Sequence, residues 1–346
     1  MYQWPNGQPD QPGPAYQPYQ GYTPYQPPAP SPIGPDGRPT LPYLQKNARK
    51  LYNTVGLGLI LQTAIMFTIS LLFSMGLLLF SHTQLYSWLY QNYQGLTMAL
   101  SMVAALVGNL TAYFFIKRFA GLKSRQVFDF SRLRFSHVLF GFIACLGVNG
   151  VFSFLVDLLG QGLRSLGLNP TTPDFSLGVG LAADVITVLY VVIVAPITEE
   201  LVFRGAVQTS LRRYGHWFSI IVTALLFSLM HGNLYQAIPT FFMALVMGYV
   251  ADRSGTVLPT ILIHMLNNGF ALFQTAGLVS DRVMYIIMGA IMIAGVLIVL
   301  LSKFYKKVPA PDPAIHPSLR WQSLCSSWSF WVTIAVYLLL IFFVYM

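Results

Sequence analysis

The chain has 346 residues, of which 55% are hydrophobic and only 9% charged, where a soluble globular domain carries roughly 25% charged residues. Composition therefore excludes a soluble domain and points to a polytopic all-α membrane protein. The net charge of +9 does not indicate nucleic-acid binding, because the basic residues gather between apolar runs, as in the cytoplasmic loops of membrane proteins.

Residues 1–42 are rich in Pro, Gln, Tyr and Gly, with Tyr-Gln steps recurring at Tyr16, Tyr19 and Tyr25. Such a segment cannot bury enough apolar surface to offset its ordering entropy, so a disordered cytoplasmic tail is expected. Apolar runs approaching the ~20 residues of a spanning helix follow near 55–80, 96–116, 137–159, 179–213, 217–231, 234–251, 257–278, 282–302 and 328–346. A transmembrane helix bundle of eight or nine spans is the expected fold. It divides into N-terminal helices (43–177), a central helix core (178–278) and C-terminal helices carrying a Pro-rich linker from Pro309 to Pro317 (279–346). Turn chemistry marks the joints at Leu168-Asn-Pro170, Gly232-Asn233 and Ser254-Gly255.

Lys46, Arg49 and Lys50 precede the first run. Lys117, Arg118, Lys123, Arg125, Arg132 and Arg134 lie between the second and third, and Lys303, Lys306, Lys307 and Arg320 before the last. Nine crossings from a cytoplasmic N-terminus put all these clusters inside, leaving Arg164 and Arg282 outside. The C-terminus is then extracytoplasmic, in a plasma or inner membrane. An eight-span version, with 217–251 re-entrant, fits the loop charges less well. Cys145 and Cys325 offer neither a disulfide framework nor a metal spacing, and no cleaved signal peptide or lipidation motif is visible.

Segment 179–213 is too long for one ordinary span and carries Pro196. It either breaks there or continues as a kinked helix. At 1.5 Å per residue, a continuous helix puts Glu199 roughly 20 Å above Arg212 and Arg213. His231 lies roughly 22 Å above His216, and His264 roughly 16 Å above Arg253, by the same rise. Three polar positions then meet near mid-membrane, which favours the continuous form.

Glu199 and Glu200 are the only glutamates in the chain and lie in an apolar stretch. Intramembrane ionisable residues mark sites or pathways. Of six histidines, His82, His137, His216 and His316 fall at run ends or in loops; only His231 and His264 are embedded. Glu200 and Arg204 are four apart, as are Phe227 and His231, and His264 and Asn268, so each pair shares a helix face. Glu199, one residue from Glu200, points about 100° away from it. This set can activate water against a carbonyl, with a carboxylate taking the proton and His and Asn donors holding the oxyanion. Alternatively, His231, His264 and Glu199 supply the two-His-plus-carboxylate set of a catalytic zinc site, although no His-Glu-x-x-His helix is present. Asp184 and Asn149 are assigned packing or hydration, since no spacing ties them to the cluster. Two other classes use the same polar groups: a proton-coupled transporter or channel, and a non-catalytic immunity or scaffold protein that binds a peptide.

The ordered motifs Glu199-Glu200-x-x-x-Arg204, Phe227-x-x-x-His231 and His264-x-x-x-Asn268 resemble those of the CPBP intramembrane proteases, the CAAX-protease and bacteriocin-processing (Abi) family. The resemblance spans about residues 178–275. It implies an endopeptidase acting on a membrane-associated protein or peptide, CAAX-type or similar, in or at the bilayer. By motif position, Glu199 is the general base with His231 assisting, and His264 and Asn268 form the oxyanion site. Glu200 and Arg204 hold the geometry. Members are labelled metalloproteases, though the same residues support a metal-free glutamate mechanism.

Overall fold

The computed structural model describes residues 33, 40–124, 127–165, 177–178, 180–302 and 317–345. Most of the expected tail and of the Pro-rich linker, with Arg125, the 168–170 turn, Lys303, Lys306, Lys307 and His316, lie outside the described residues, while Leu41 and Pro317 already open helices. Met1–Tyr43 and Leu44–Met346 form separate units, and the helical bundle belongs to the second.

Among the described residues the multi-residue elements are all helices, as expected from composition. The elements are α1 (Leu41–Leu79), α2 (Gln84–Gln91), α3 (Tyr93–Ala120), α4 (Phe135–Ser165), α5 (Leu181–Tyr214), α6 (His216–Leu229), α7 (Leu234–Ser254), α8 (Leu258–Thr275), α9 (Asp281–Ser302), α10 (Pro317–Cys325) and α11 (Trp328–Tyr345). Among the described residues, six helices are long and apolar enough to cross a membrane, or seven with the α10–α11 pair, bent by 64°. This is an integral membrane protein.

The nine apolar runs are all helical, but two make short elements. Helix α6 has 14 residues, about 21 Å, against a hydrocarbon core of about 30 Å. Helix α8 has 18 residues and carries His264, Asn267, Asn268 and Gln274. Each buries one face, with Phe227 on α6 and Ile263 and His264 on α8, while Ile221 and Leu225 of α6 and Leu262 and Leu266 of α8 stay exposed. In contrast, α1 begins well before residue 55, and its start takes in Lys46, Arg49 and Lys50.

Helix α5 is continuous over 34 residues, as the depth argument favoured. Pro196 donates no N–H, and its ring crowds the carbonyl one turn back. The helix accommodates it by widening into a π turn at Leu189–Val194, where that carbonyl lies; a regular α segment, Ala195–Glu200, follows, and a second π turn occupies Leu201–Gln208. Thr198 Oγ1 donates to the Val194 carbonyl at 2.8 Å, taking up one acceptor near the proline. Phe203, Phe227, Met247 and Ile263 are fully buried where α5, α6, α7 and α8 meet.

Helix α4 packs on α7, α8 and α9. Its closest approach to α9 is at Gly147 and Gly295: a Cβ on Gly147 would stand 2.6 Å from the Gly295 Cα. Two backbones meet there with no room for a side chain, the small-residue packing that membrane helices favour. Gly147→Val should therefore force the helices apart and cost about 1–3 kcal/mol. Thermal unfolding in detergent checks this, and an unshifted midpoint would contradict the packing.

Candidate active site

A cavity of about 500 Å³ opens between α3, α4, α5, α7 and α8. Its walls include Glu199, His231, His264 and Asn268 together, so four of the six expected site residues converge on one space. Glu200 and Arg204 stand behind it. The Glu200 side chain is 0% exposed while that of Glu199 is 16% exposed. Adjacent positions on one helix have thus diverged as their angular offset required.

Behind the cavity, Arg204 Nη1 donates to Glu200 Oε1 at 2.8 Å, the i, i+4 pair expected from sequence. The guanidinium lies over the Phe227 ring, 4.5 Å from its centroid, which adds a cation–π contact. Phe227 meets His231 and His264 edge to face, with centroids 5.1 and 5.8 Å apart. One aromatic ring therefore touches the guanidinium and both imidazoles.

The imidazole orientations follow from their partners. His264 Nδ1 is 3.2 Å from Glu200 Oε1, so this nitrogen carries hydrogen and donates to the carboxylate. Its Nε2 faces Glu199, 4.0 Å from Oε2. His264 thus links the two glutamates, a connection that sequence spacing did not reveal. His231 sits on the turn after α6, and its Nδ1 donates to the Phe227 carbonyl at 2.9 Å. That leaves Nε2 as its unengaged nitrogen.

Asn268 Nδ2 donates to the Val191 carbonyl at 2.8 Å. Val191 belongs to the π turn before Pro196. The amide has a second N–H to offer.

Among the described residues, no three His, Cys, Asp or Glu side chains form a group that could hold a metal ion. His231, His264 and Glu199 line one cavity, yet the zinc option from sequence does not fit their placement.

Several cavity residues escaped the sequence reading. Asn149, assigned to packing or hydration, is a wall residue, as are Asn109, Tyr190, Gln236 and Asn267. Asp184 instead accepts from the Gly178 backbone N–H at 3.0 Å, a local cap at the start of α5. Asn109 on α3 donates to Thr198 Oγ1 at 2.8 Å and accepts from Gln62 on α1. Gln62 also reaches Met230 Sδ at 3.3 Å. The relay ends on the residues just before Glu199 and His231. A carboxamide in each apolar run was its only sequence signal, since no spacing relates α1, α3 and α5.

Asn109→Ala leaves buried Gln62 and Thr198 groups short of a partner, at a cost of about 1–3 kcal/mol. The variant should unfold at lower temperature in detergent, and an unchanged midpoint would remove the relay's role.

The Rce1-like family model, "Type II CAAX prenyl endopeptidase Rce1-like", matches residues 181–270, from the start of α5 into α8. An "uncharacterized 24.3 kDa protein" of Escherichia coli is 31% identical over 126 residues, which cover 35% of this chain and 58% of that protein. No solved structure matches. The match encloses all three motifs, so over residues 181–270 this chain is similar to the Rce1-like type II CAAX prenyl endopeptidases, and it spans little more than half the length of the curated relative.

Proposed function

We propose that the cavity is the active site of an intramembrane endopeptidase that hydrolyses a peptide bond of a membrane-associated protein, CAAX-type or similar, with Glu199 as general base. The observation that carries this reading is the division between the two glutamates. Glu200 is sealed against Arg204 and holds His264, while Glu199 opens to the cavity. A water molecule with two contacts of about 2.8 Å spans a 4.0 Å gap, so one can sit between Glu199 Oε2 and His264 Nε2.

In the proposed reaction, Glu199 takes a proton from that water as its oxygen attacks the scissile carbonyl. The carbonyl oxygen becomes an oxyanion beside Asn268 and His264; the second amide N–H of Asn268 donates to it, and His264 does so through Nε2 in the form that carries hydrogen on both ring nitrogens. The proton held by Glu199 then passes to the leaving nitrogen as the C–N bond breaks, giving a carboxylic acid and an amine, between which the acid's proton is then exchanged. His231, through Nε2, orients the water. Glu200 and Arg204 touch no reacting atom; they fix the His264 ring. No step requires a metal ion.

The basic helix ends, at Lys117, Arg118, Arg212, Arg213 and Arg253, support a cytoplasmic N-terminus for the protein, with the C-terminus on the opposite side. The test is a comparison of membrane-protein C-termini between cells with the native protein and cells with Glu199→Gln. Shortened C-termini that disappear in the variant support the proposal. Identical profiles, with partner binding retained, would instead indicate a peptide-binding protein without turnover.

A further inference from the structure

Helices α4 and α9 run antiparallel, since residues 136–144 of one and 297–302 of the other line the same slot. Beyond their contact at Gly147 and Gly295, towards the N-terminus of α4, they part around a space of about 660 Å³. Helix α7 forms the third wall.

Polarity is graded along this slot. Phe140, Ala144, Val246 and Leu297 line its inner part, whereas Ser136, His137, Arg253 and Ser302 lie at its outer end. By helix rise, Ala144 is roughly 12 Å from Ser136, and Val246 roughly 10 Å from Arg253. The outer end carries excess positive charge. Arg253 is exposed on the last turn of α7. Its neighbour Asp252 is already engaged by Arg212 at 2.9 Å and His216 at 2.8 Å. Arg134 immediately precedes α4, and its carbonyl accepts from the His137 backbone N–H. The His137 Nδ1 atom is buried and has no hydrogen-bond partner among the described residues.

We propose that this slot is a binding site for one anionic phospholipid, its phosphate on Arg253 and His137 and an acyl chain between α4, α7 and α9. An apolar slot ending in cations matches the two halves of such a molecule, and basic pockets between transmembrane helices on the cytoplasmic side suit acidic head groups. A soluble anion lacks any part that could fill the apolar length. Helices α4 and α7 also wall the candidate active site, through Asn149, Ser153, Thr240 and Met243, so the lipid braces two of its sides. The proposal does not depend on the protease reading.

Native mass spectrometry of the full chain in detergent tests it, with phosphatidylglycerol and phosphatidylcholine added in equal amounts. One cation near a membrane surface favours an acidic lipid by roughly fivefold. The native protein should therefore retain one phosphatidylglycerol at least that strongly over phosphatidylcholine. Arg253→Gln combined with His137→Gln should bring the two lipids to parity without changing the lipid-free unfolding midpoint. Leu297→Trp, at a half-exposed position, should displace the acyl chain and reduce retention of both. Equal retention by the native protein overturns the proposal, as does a phosphatidylglycerol preference that survives the double substitution.

Discussion

Glu199→Gln should lower the rate of peptide cleavage by roughly 10²–10⁴-fold, the contribution of a positioned general base, while leaving the fold intact. Glutamine keeps the size and hydrogen-bonding shape of the side chain but accepts no proton. Because Glu199 borders the cavity and is not part of the sealed ion pair, its replacement leaves Arg204 and His264 with their Glu200 contacts. The expected signature is a fall in kcat with little change in KM and an unfolding midpoint close to native. A variant that cleaves at the native rate would remove Glu199 from the chemistry. Loss of the folded state would instead assign it a structural role.

Glu200→Gln should produce the opposite balance. The Glu200–Arg204 pair has no exposure on either side chain, and removing one partner from a buried ion pair costs about 3–5 kcal/mol because the other charge remains uncompensated. The guanidinium would be left with the Phe227 face and a 3.4 Å contact to the Ala244 carbonyl. His264 would also lose the carboxylate that fixes its Nδ1 hydrogen. Stability and turnover should therefore fall together.

A second variant separates the two effects. Replacing both partners, Glu200→Leu with Arg204→Met, removes the unpaired charge, and well-packed apolar pairs often restore such losses. That protein should recover much of the midpoint lost in Glu200→Gln, yet remain impaired in kcat because the His264 ring is no longer held. Unfolding in detergent and steady-state cleavage, measured on the same preparations, check both statements. Full activity in the double variant would show that His264 needs no carboxylate behind it.

The central elements were legible because a membrane imposes strong rules on few residues. Apolar runs had to become helices, since unpaired backbone polar groups are too costly in hydrocarbon. Two adjacent glutamates and two embedded histidines stood out against a chain with 9% charged residues. Helical spacing then paired Glu200 with Arg204 and His264 with Asn268. The first pair is a 2.8 Å ion pair, and both members of the second border one cavity.

Spacing acts within a helix and is silent between helices. The Glu200–His264 contact joins residues 64 positions apart, and the Asn109–Thr198 bond residues 89 apart. Nothing in either local sequence specifies such partners. The same limit led to Asn149 being assigned to packing: it has no i, i+4 partner in the motifs, and only the approach of α4 brings it to the cavity. Counting apolar runs likewise did not separate α6 and α8 from full spans: α6 is only 14 residues long, and the polar residues of the 18-residue α8 lower its hydropathy.

What the sequence determined by itself was the solvent of this chain, its helical class and the residues able to carry chemistry, since each follows from composition and a fixed 3.6-residue period. Tertiary structure alone decided which glutamate is sealed and which is open, how each imidazole is turned, and which carboxamides join them. Those outcomes depend on distances between separate helices, and packing of whole surfaces sets such distances where no local pattern records them.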